Sequence, residues 1–455
     1  MLLILGALSF FSLPWDLGFS PPYIFGFGVT MLALTSVLAY WLPRVWTPVR
    51  HVKRWFIAIL VFGFILRLAY VLTVPPVQLS DMENYVDLAR GLLNGEGYHQ
   101  LVGVHDLRAF RAPGYSFLLA AVMALVGDSW WAPALLNLLC YVLTGLVLRD
   151  LATRVAGPET GIAACALFSC WPSGIMSTGL AMTESVSLLL LLSVAWGTAR
   201  ARTDRRSRWW MVTGLSLGLG ALVRPSLLPL PILMLLLALL NPYERPANLR
   251  HAVLATFVAV LCVAPWTLRN YLVLDALVVV STNGGDNFYR SNNPLASGGY
   301  TPTGERDFSG LLPDEVAWNR AAMAAGKRWI AEHPLDFLRL SARKLAISFA
   351  GDTTGAYWSL ERAHAQSGPA YAAATISSNI WWLGIWTITL IALVRKRARI
   401  IDHPDGVTLL WLTIVLPIVH AVFEAQPRYH MPIIGVLLCL SAMLVAPLHG
   451  DREIP

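Results

Sequence analysis

Charge is scarce in this chain. Only 13% of its 455 residues are Asp, Glu, Lys or Arg, whereas 56% are hydrophobic and the mean hydropathy is +0.58. Soluble domains carry about 25% charged residues. A string of water-soluble domains is therefore excluded, and a polytopic all-α membrane protein is implied. Cysteine is scarce too. Cys140, Cys165, Cys170, Cys262 and Cys439 all fall in apolar segments at no metal-ligand spacing. They read as small buried hydrophobes, with no disulfide framework. No Lys or Arg precedes Arg44, so the basic flank of a cleavable signal peptide is missing. No P-loop and no dinucleotide-binding glycine fingerprint occurs. The net charge of +7 is no sign of nucleic acid, because the basic residues form short clusters between apolar spans, as cytoplasmic loops do.

What is present is a series of apolar spans that those clusters orient. Residues 2–14 are apolar but short for a crossing, and a longer span is expected at 23–43. Arg44, Arg50, Lys53 and Arg54 then place the following loop in the cytoplasm,. A span at 55–74 runs outward, with Arg67 as an intramembrane charge that should face protein or water,. Residues 114–126 read as a helix dipping into the outer interface, because a full crossing would put Arg149, Asp150 and Arg154 outside. Further spans are expected at 130–149, 158–173, 181–199, 209–223, 226–241, 251–274, 376–394, 406–424 and 431–447. Gly214 and Gly218 form a small-xxx-small pattern that predicts a close helix crossing,. In all, about 11–12 membrane helices are expected. The organisation divides into 1–54, an additional membrane segment with a basic loop; 55–274, a membrane module with a first outer loop at 75–129; 275–372, an outer region with amphipathic helices at about 313–332 and 334–350 and a loop at 281–294; and 373–455, the last membrane helices.

Residues 78–116 are the first long polar stretch. Ser80-Asp81-Met82-Glu83 has the pattern of a capping box, with Ser80 as cap and Glu83 reaching back. Met82, Tyr85, Val86, Ala89, Leu92 and Leu93 share one helix face,. Gly95 suits a left-handed C-terminal cap. Such a helix can lie in the membrane interface and present Asp81 at the surface. Arg224, Arg269 and Arg428 are isolated arginines at the outer ends of three spans. Snorkelling to headgroups accounts for most such residues taken singly, but three together also suit recognition of phosphate by guanidinium forks. Glu184 opens another span at the same end, a place a helix dipole also favours. His105, Asp106 and His430 are metal-capable but lack ligand spacing, and a divalent cation stays open. Tyr85, Arg111, Tyr115, Asn283, Tyr429 and His430, with Glu83, complete the candidate substrate contacts.

The run S-D-M-x-x-Y-x-x-L-A-x-x-L-L-x-G-x-G-Y (80–98), then R-A-P-G-Y (111–115), a short helix and Gly127-Asp128, resembles the GT-C glycosyltransferases. More narrowly it resembles the family-39-like branch related to protein O-mannosyltransferases and to the lipid A aminoarabinose transferase. Leu222-Val223-Arg224-Pro225, Pro265-Trp266-Thr267-Leu268-Arg269-Asn270 and Pro427-Arg428-Tyr429-His430-Met431-Pro432 add to the likeness. The departure is Asp81-Met82-Glu83 where several members have adjacent Asp-Glu. The resemblance implies a GT-C fold, a multi-pass location in the inner (plasma) membrane and an extracytoplasmic active site. It also implies a polyprenyl-phosphate-linked sugar donor, with a lipid, glycan or protein acceptor. Asp81 would be the catalytic base, Glu184 the second acid, and the three arginines the lipid-phosphate site. The chemistry is coherent in its own right. A leaving phosphate needs cations rather than an acid, and the incoming hydroxyl needs a base. A lipid or polysaccharide transporter is an alternative, but no paired broken halves are visible. A glycan ligase or polymerase is another.

Overall fold

The computed structural model describes residues 1–2, 4–7, 9–10, 52–240, 245–300, 308–364 and 368–445. The expected span at 23–43 lies outside them. The described chain is helical apart from one hairpin, Gln100–Val102 paired antiparallel with His105–Leu107 (β1 and β2). The helices are α1 (Val52–Thr73), α2 (Asp81–Leu93), α3 (Gly114–Val126), α4 (Trp131–Ala156), α5 (Pro158–Ser169), α6 (Glu184–Asp204), α7 (Ser207–Val223), α8 (Leu230–Leu240) and α9 (Arg245–Leu274). After these come α10 (Gly284–Arg290), α11 (Glu315–Glu332), α12 (Pro334–Phe349), α13 (Pro369–Arg395), α14 (Pro404–Val422) and α15 (Ile434–Val445), with shorter turns between.

Among the described residues, α1, α4, residues Leu249–Leu274 of α9, α13 and α14 are long and apolar enough to cross a membrane. Gly114–Val126, Pro225–Leu236 and Met431–Leu444 are shorter apolar segments. The chain is thus a helical multi-pass membrane protein, and α1 and α9 turn Ile57, Val61, Phe62, Phe257, Val260 and Leu261 outward. The interior is built on Trp382, Trp386, Phe349 and the apolar face of α15, all fully buried. Gly214 and Gly218 do mark a close crossing. A Cβ on Gly214 would lie 2.5 Å from the Ala255 carbonyl of α9, and one on Gly218 would lie 2.6 Å from Cys262 Cβ.

Arg67 is 3% exposed, as an intramembrane charge facing protein should be. It donates to the carbonyls of Gly63, Ser169 and Phe168 and stacks 3.9 Å over the Tyr141 ring. The basic segments gather at one end of the bundle. Asp150 accepts from Arg154 of its own helix and from Arg200 and Trp196 of α6, and Arg202 reaches Asp405 at 2.7 Å. This common end is what alternating span directions require. Two cysteines depart from expectation: Cys170, just past the C-terminal end of α5, is exposed, and Cys262 of α9 is half-buried.

Two local expectations are corrected. Ser80 does not cap α2 with its side chain, and its backbone takes φ 59° rather than the extended conformation usual for a capping residue,. The stretch 281–294 is not all loop, since Gly284–Arg290 forms a short helix packed on α11. Gly285 makes that packing possible, because a Cβ there would lie 2.0 Å from the Asn319 carbonyl.

α12 carries Lys344, which has no solvent exposure and donates to Asn292 Oδ1 at 2.9 Å and the Val422 carbonyl at 3.1 Å. Burial lowers its pKa from 10.5 to about 7, opposed by the charge of Glu424. The folded protein therefore binds fewer protons here than the unfolded chain between about pH 7 and pH 10.5. Across that window this group makes stability rise with pH, and its destabilising effect is complete below it. Relative to Lys344→Met, the wild-type melting temperature should climb from about pH 7 to pH 10.5. A constant difference would mean that the amine stays charged in the folded protein.

Candidate active site

The end of the bundle opposite the basic clusters brings five charged side chains from five segments together. α2 begins at Asp81, whose side chain is 31% exposed. Its amphipathic pattern buries Met82, Val86 and Ala89, and its C-terminus closes on Gly95 at φ 75°. Asp81 Oδ1 lies 2.9 Å from Arg111 Nη2, and Oδ2 lies 2.5 Å from Arg428 Nη2. Burial alone would disfavour the charged carboxylate. The two guanidiniums override it and hold Asp81 well below the usual carboxylate range,.

Glu184 is the first residue of α6 and is 3% exposed. Its Oε1 accepts from Arg224 Nη1 at 3.2 Å and lies 3.7 Å from Arg428 Nε. Arg428 thus touches both acids. Tyr429 backs the cluster, with the Arg224 guanidinium 4.6 Å and the Arg428 guanidinium 5.8 Å from its ring centroid. Its other side stacks on His420 at 4.4 Å.

The approach of these segments depends on Gly114. A Cβ there would lie 2.8 Å from the backbone of Leu222 and Val223, the residues that lead into Arg224. The Ala-Pro-Gly turn after Arg111 therefore fits against the end of α7 only with glycine. Tyr85 packs edge-on to Tyr115 at 5.1 Å, and Arg111 sits 5.5 Å above the Tyr85 ring. The Tyr115 hydroxyl is buried with no hydrogen-bond partner in the structure.

Other expected contributors lie elsewhere. Arg269 is not gathered with Arg224 and Arg428. It donates to the carbonyls of Arg108 at 2.7 Å and Tyr98 at 2.9 Å, and stacks on Trp266. Glu83 is exposed on the outer face of α2. Asn283 accepts from Ser281 at the start of α10. His430 is buried behind the site, 2.8 Å from the Ser348 carbonyl and 3.3 Å from Asp352. His105 and Asp106 stand on the surface hairpin, where Asp106 meets His99 at 2.8 Å. Among the described residues no three His, Cys, Asp or Glu side chains gather at one point.

The helical fold that carries this cluster is the GT-C fold. The chain superposes on the Archaeoglobus fulgidus oligosaccharyltransferase in its apo form with a TM-score of 0.54 and 12% identity, over 86% of this chain and 50% of that one. The complex of that AglB enzyme with an inhibitory peptide and a dolichol-phosphate gives a TM-score of 0.54 at 13% identity, over 86% and 50%. ArnT from Cupriavidus metallidurans bound to undecaprenyl phosphate superposes more loosely, with a TM-score of 0.46 and 13% identity over 86% and 77%. The chain spans about half the length of the oligosaccharyltransferase structures it matches.

At the sequence level the resemblance is to the protein mannosyltransferases. The family described as dolichyl-phosphate-mannose-protein mannosyltransferase matches residues 110–268, a stretch that contains Arg111, Gly114, Glu184 and Arg224. No curated protein sequence matches the chain.

Proposed function

We propose that the protein is an inverting glycosyltransferase that moves a sugar from a polyprenyl-phosphate carrier to an acceptor hydroxyl at the extracytoplasmic face of the plasma membrane. The observation that carries this reading is the sharing of Asp81 between Arg111 and Arg428, with Arg428 also reaching Glu184. Three guanidiniums face two carboxylates, so the cluster has one positive charge over. A phosphodiester brings one negative charge to balance it. The reading is also supported by the fold and by the mannosyltransferase match over 110–268.

In this reaction the acceptor oxygen attacks the anomeric carbon, the bond from that carbon to the phosphate oxygen breaks, and the acceptor proton passes to Asp81. The leaving phosphate stays on its lipid, held by Arg224 and Arg428. Glu184 keeps those two guanidiniums oriented. Unliganded, Asp81 is a poor base, because its two cation partners favour the ionised form,. A bound phosphate competes for the same N–H donors. As Arg428 and Arg111 turn toward it, Asp81 regains basicity when the acceptor arrives.

The test is to reconstitute the full chain in lipid vesicles with polyprenyl-phosphate-linked hexoses and a panel of lipid, glycan and peptide acceptors. The expected result is release of polyprenyl phosphate and a product of inverted anomeric configuration. A product of retained configuration, or a chain that neither binds polyprenyl phosphate nor turns over any donor, overturns the reading. The fold also occurs in an oligosaccharyltransferase, so a donor carrying an oligosaccharide is the second reading. Supplying donors with one sugar and with several separates the two.

A further inference from the structure

The segment Arg108–Ala112 leads into and past Arg111, yet it has no regular structure that would hold it. Six of its ten backbone N–H and C=O groups are held by partners outside the segment. Glu315, the first residue of α11 and 3% exposed, accepts from the Arg108 N–H at 2.7 Å and from the Ala109 N–H at 3.1 Å through Oε1. Its Oε2 accepts from the Ala109 N–H at 3.2 Å and from the Thr282 hydroxyl at 2.6 Å. The Thr282 N–H donates to the Ala109 carbonyl at 2.8 Å. Arg269 takes the Arg108 carbonyl, and the Tyr98 hydroxyl donates to the carbonyls of Arg111 at 3.1 Å and Ala112 at 3.0 Å.

A buried carboxylate that spends its acceptors on two backbone N–H groups and a hydroxyl, rather than on a cation, is costly to remove. The Ala109 N–H and the Thr282 hydroxyl that it would leave behind are buried, and a buried donor without a partner is costly. The same clamp fixes Arg111 at both ends, from Ala109 on one side and from Ala112 on the other. Its Glu315 and Thr282 come from the second polar region, residues 275–372, and they act on a segment of the first.

We infer that Glu315 is a positioning residue for Arg111: it grips the Arg108–Ala109 backbone so that the Arg111 guanidinium meets Asp81. The assignment deepens the proposed transferase site and rests on it for its chemical meaning. Its geometry does not depend on which substrate is used. A consequence is that the helix region 315–349 and the catalytic carboxylate are mechanically joined.

The groups facing Asp81 are Arg111 from the clamped loop, Arg428 from the turn before α15, Tyr85 from its own helix, and Glu184 by way of Arg428. The test reads Asp81 directly, so its outcome is distinct from that of the transfer assay. Full-length protein in nanodiscs is treated with a carbodiimide across a range of pH, and labelling of Asp81 is followed by peptide mass spectrometry. Removing a paired cation raises a carboxylate's titration midpoint, by about one pH unit or more for a close pair. Arg111→Ala should show that rise. Glu315→Ala should match it, and the double variant should rise no further on account of Glu315.

Asp314→Ala supplies the control. The Asp314 side chain caps the same helix by accepting from the N–H groups of Val316 and Ala317, not from those of Arg108 and Ala109. It should weaken α11 and leave the Asp81 midpoint in place. If Glu315→Ala proves too unstable to purify, the near-isosteric Glu315→Gln, which keeps one acceptor oxygen, should show a smaller rise in the same direction. A wild-type midpoint in the Glu315 variants beside a shifted one in Arg111→Ala overturns the inference. So does an unshifted midpoint in Arg111→Ala itself.

Discussion

Replacing Asp81 with Asn should lower sugar transfer by about 10²–10⁴-fold, the usual contribution of a general base, while leaving the lipid carrier bound. The two effects separate because of what Asp81 touches. Its oxygens occupy Arg111 Nη2 and Arg428 Nη2 in the unliganded site. A neutral amide competes less well for those guanidiniums, so polyprenyl phosphate should bind the variant as tightly as wild type, or more tightly. The measurement pairs turnover in vesicles with equilibrium binding of the carrier. Turnover within about twofold of wild type would remove Asp81 from the base role, since no catalysed proton transfer is that weak. Loss of carrier binding together with turnover would make Asp81 a structural anchor instead. Because Arg111 and Arg428 keep the carboxylate ionised well below its ordinary range, wild-type kcat/KM should hold on the acid side past the point where an unperturbed carboxylate would protonate.

How far such a site could be read in the sequence depends on which physical term decides each piece. Burying charge in hydrocarbon costs so much that the basic clusters and the apolar runs mark helix ends closely. The expected 209–223 appears as Ser207–Val223, and the expected 55–74 as Val52–Thr73. Glu184, Arg224 and Arg428 were legible for the same reason, as charges at span ends, whereas Asp81 was legible as the first-turn acid of an amphipathic helix suited to the interface.

Arg269 shows where that logic runs out. In sequence it looks identical to Arg224 and Arg428, yet a turn of backbone offers it the carbonyls of Arg108 and Tyr98. The positions of carbonyls leave no trace in composition. Ser80 shows a second gap, since the capping-box pattern presumes an extended cap residue and the chain enters α2 at φ 59°. The hairpin at Gln100–Leu107 has strands of three residues, too short for alternation to register,. The helix at Gly284–Arg290 sits in a run of Gly and Asn that favours turns locally. Tertiary packing against Asn319 overrides that preference. Glu315 was invisible as a site residue because it looks like an ordinary first-turn acid. Only the fold shows that it faces Arg108 and Ala109 rather than water.

Arg428 carries the second large effect, because it contacts both acids. Its fork lets Nη2 serve Asp81 while Nε faces Glu184, an arrangement a single ammonium cannot reproduce. Arg428→Lys keeps the charge and should still lower kcat/KM by about 10²–10³-fold, the cost of losing one aligned donor to developing negative charge. Arg428→Ala should lose more and should also weaken binding of polyprenyl phosphate. The pH profile gives an independent reading. With one hydrogen-bonded cation gone, Asp81 is held less firmly in its ionised form, so the acid limb of kcat/KM must move to higher pH. The same direction follows from Arg111→Ala, but that change leaves the contact with Glu184 intact. The shift without the full loss of carrier affinity is therefore expected there, and both together for Arg428. Unchanged kcat/KM in Arg428→Lys, with an unmoved acid limb in Arg428→Ala, would mean that the guanidinium fork at the centre of the cluster takes no part in the reaction.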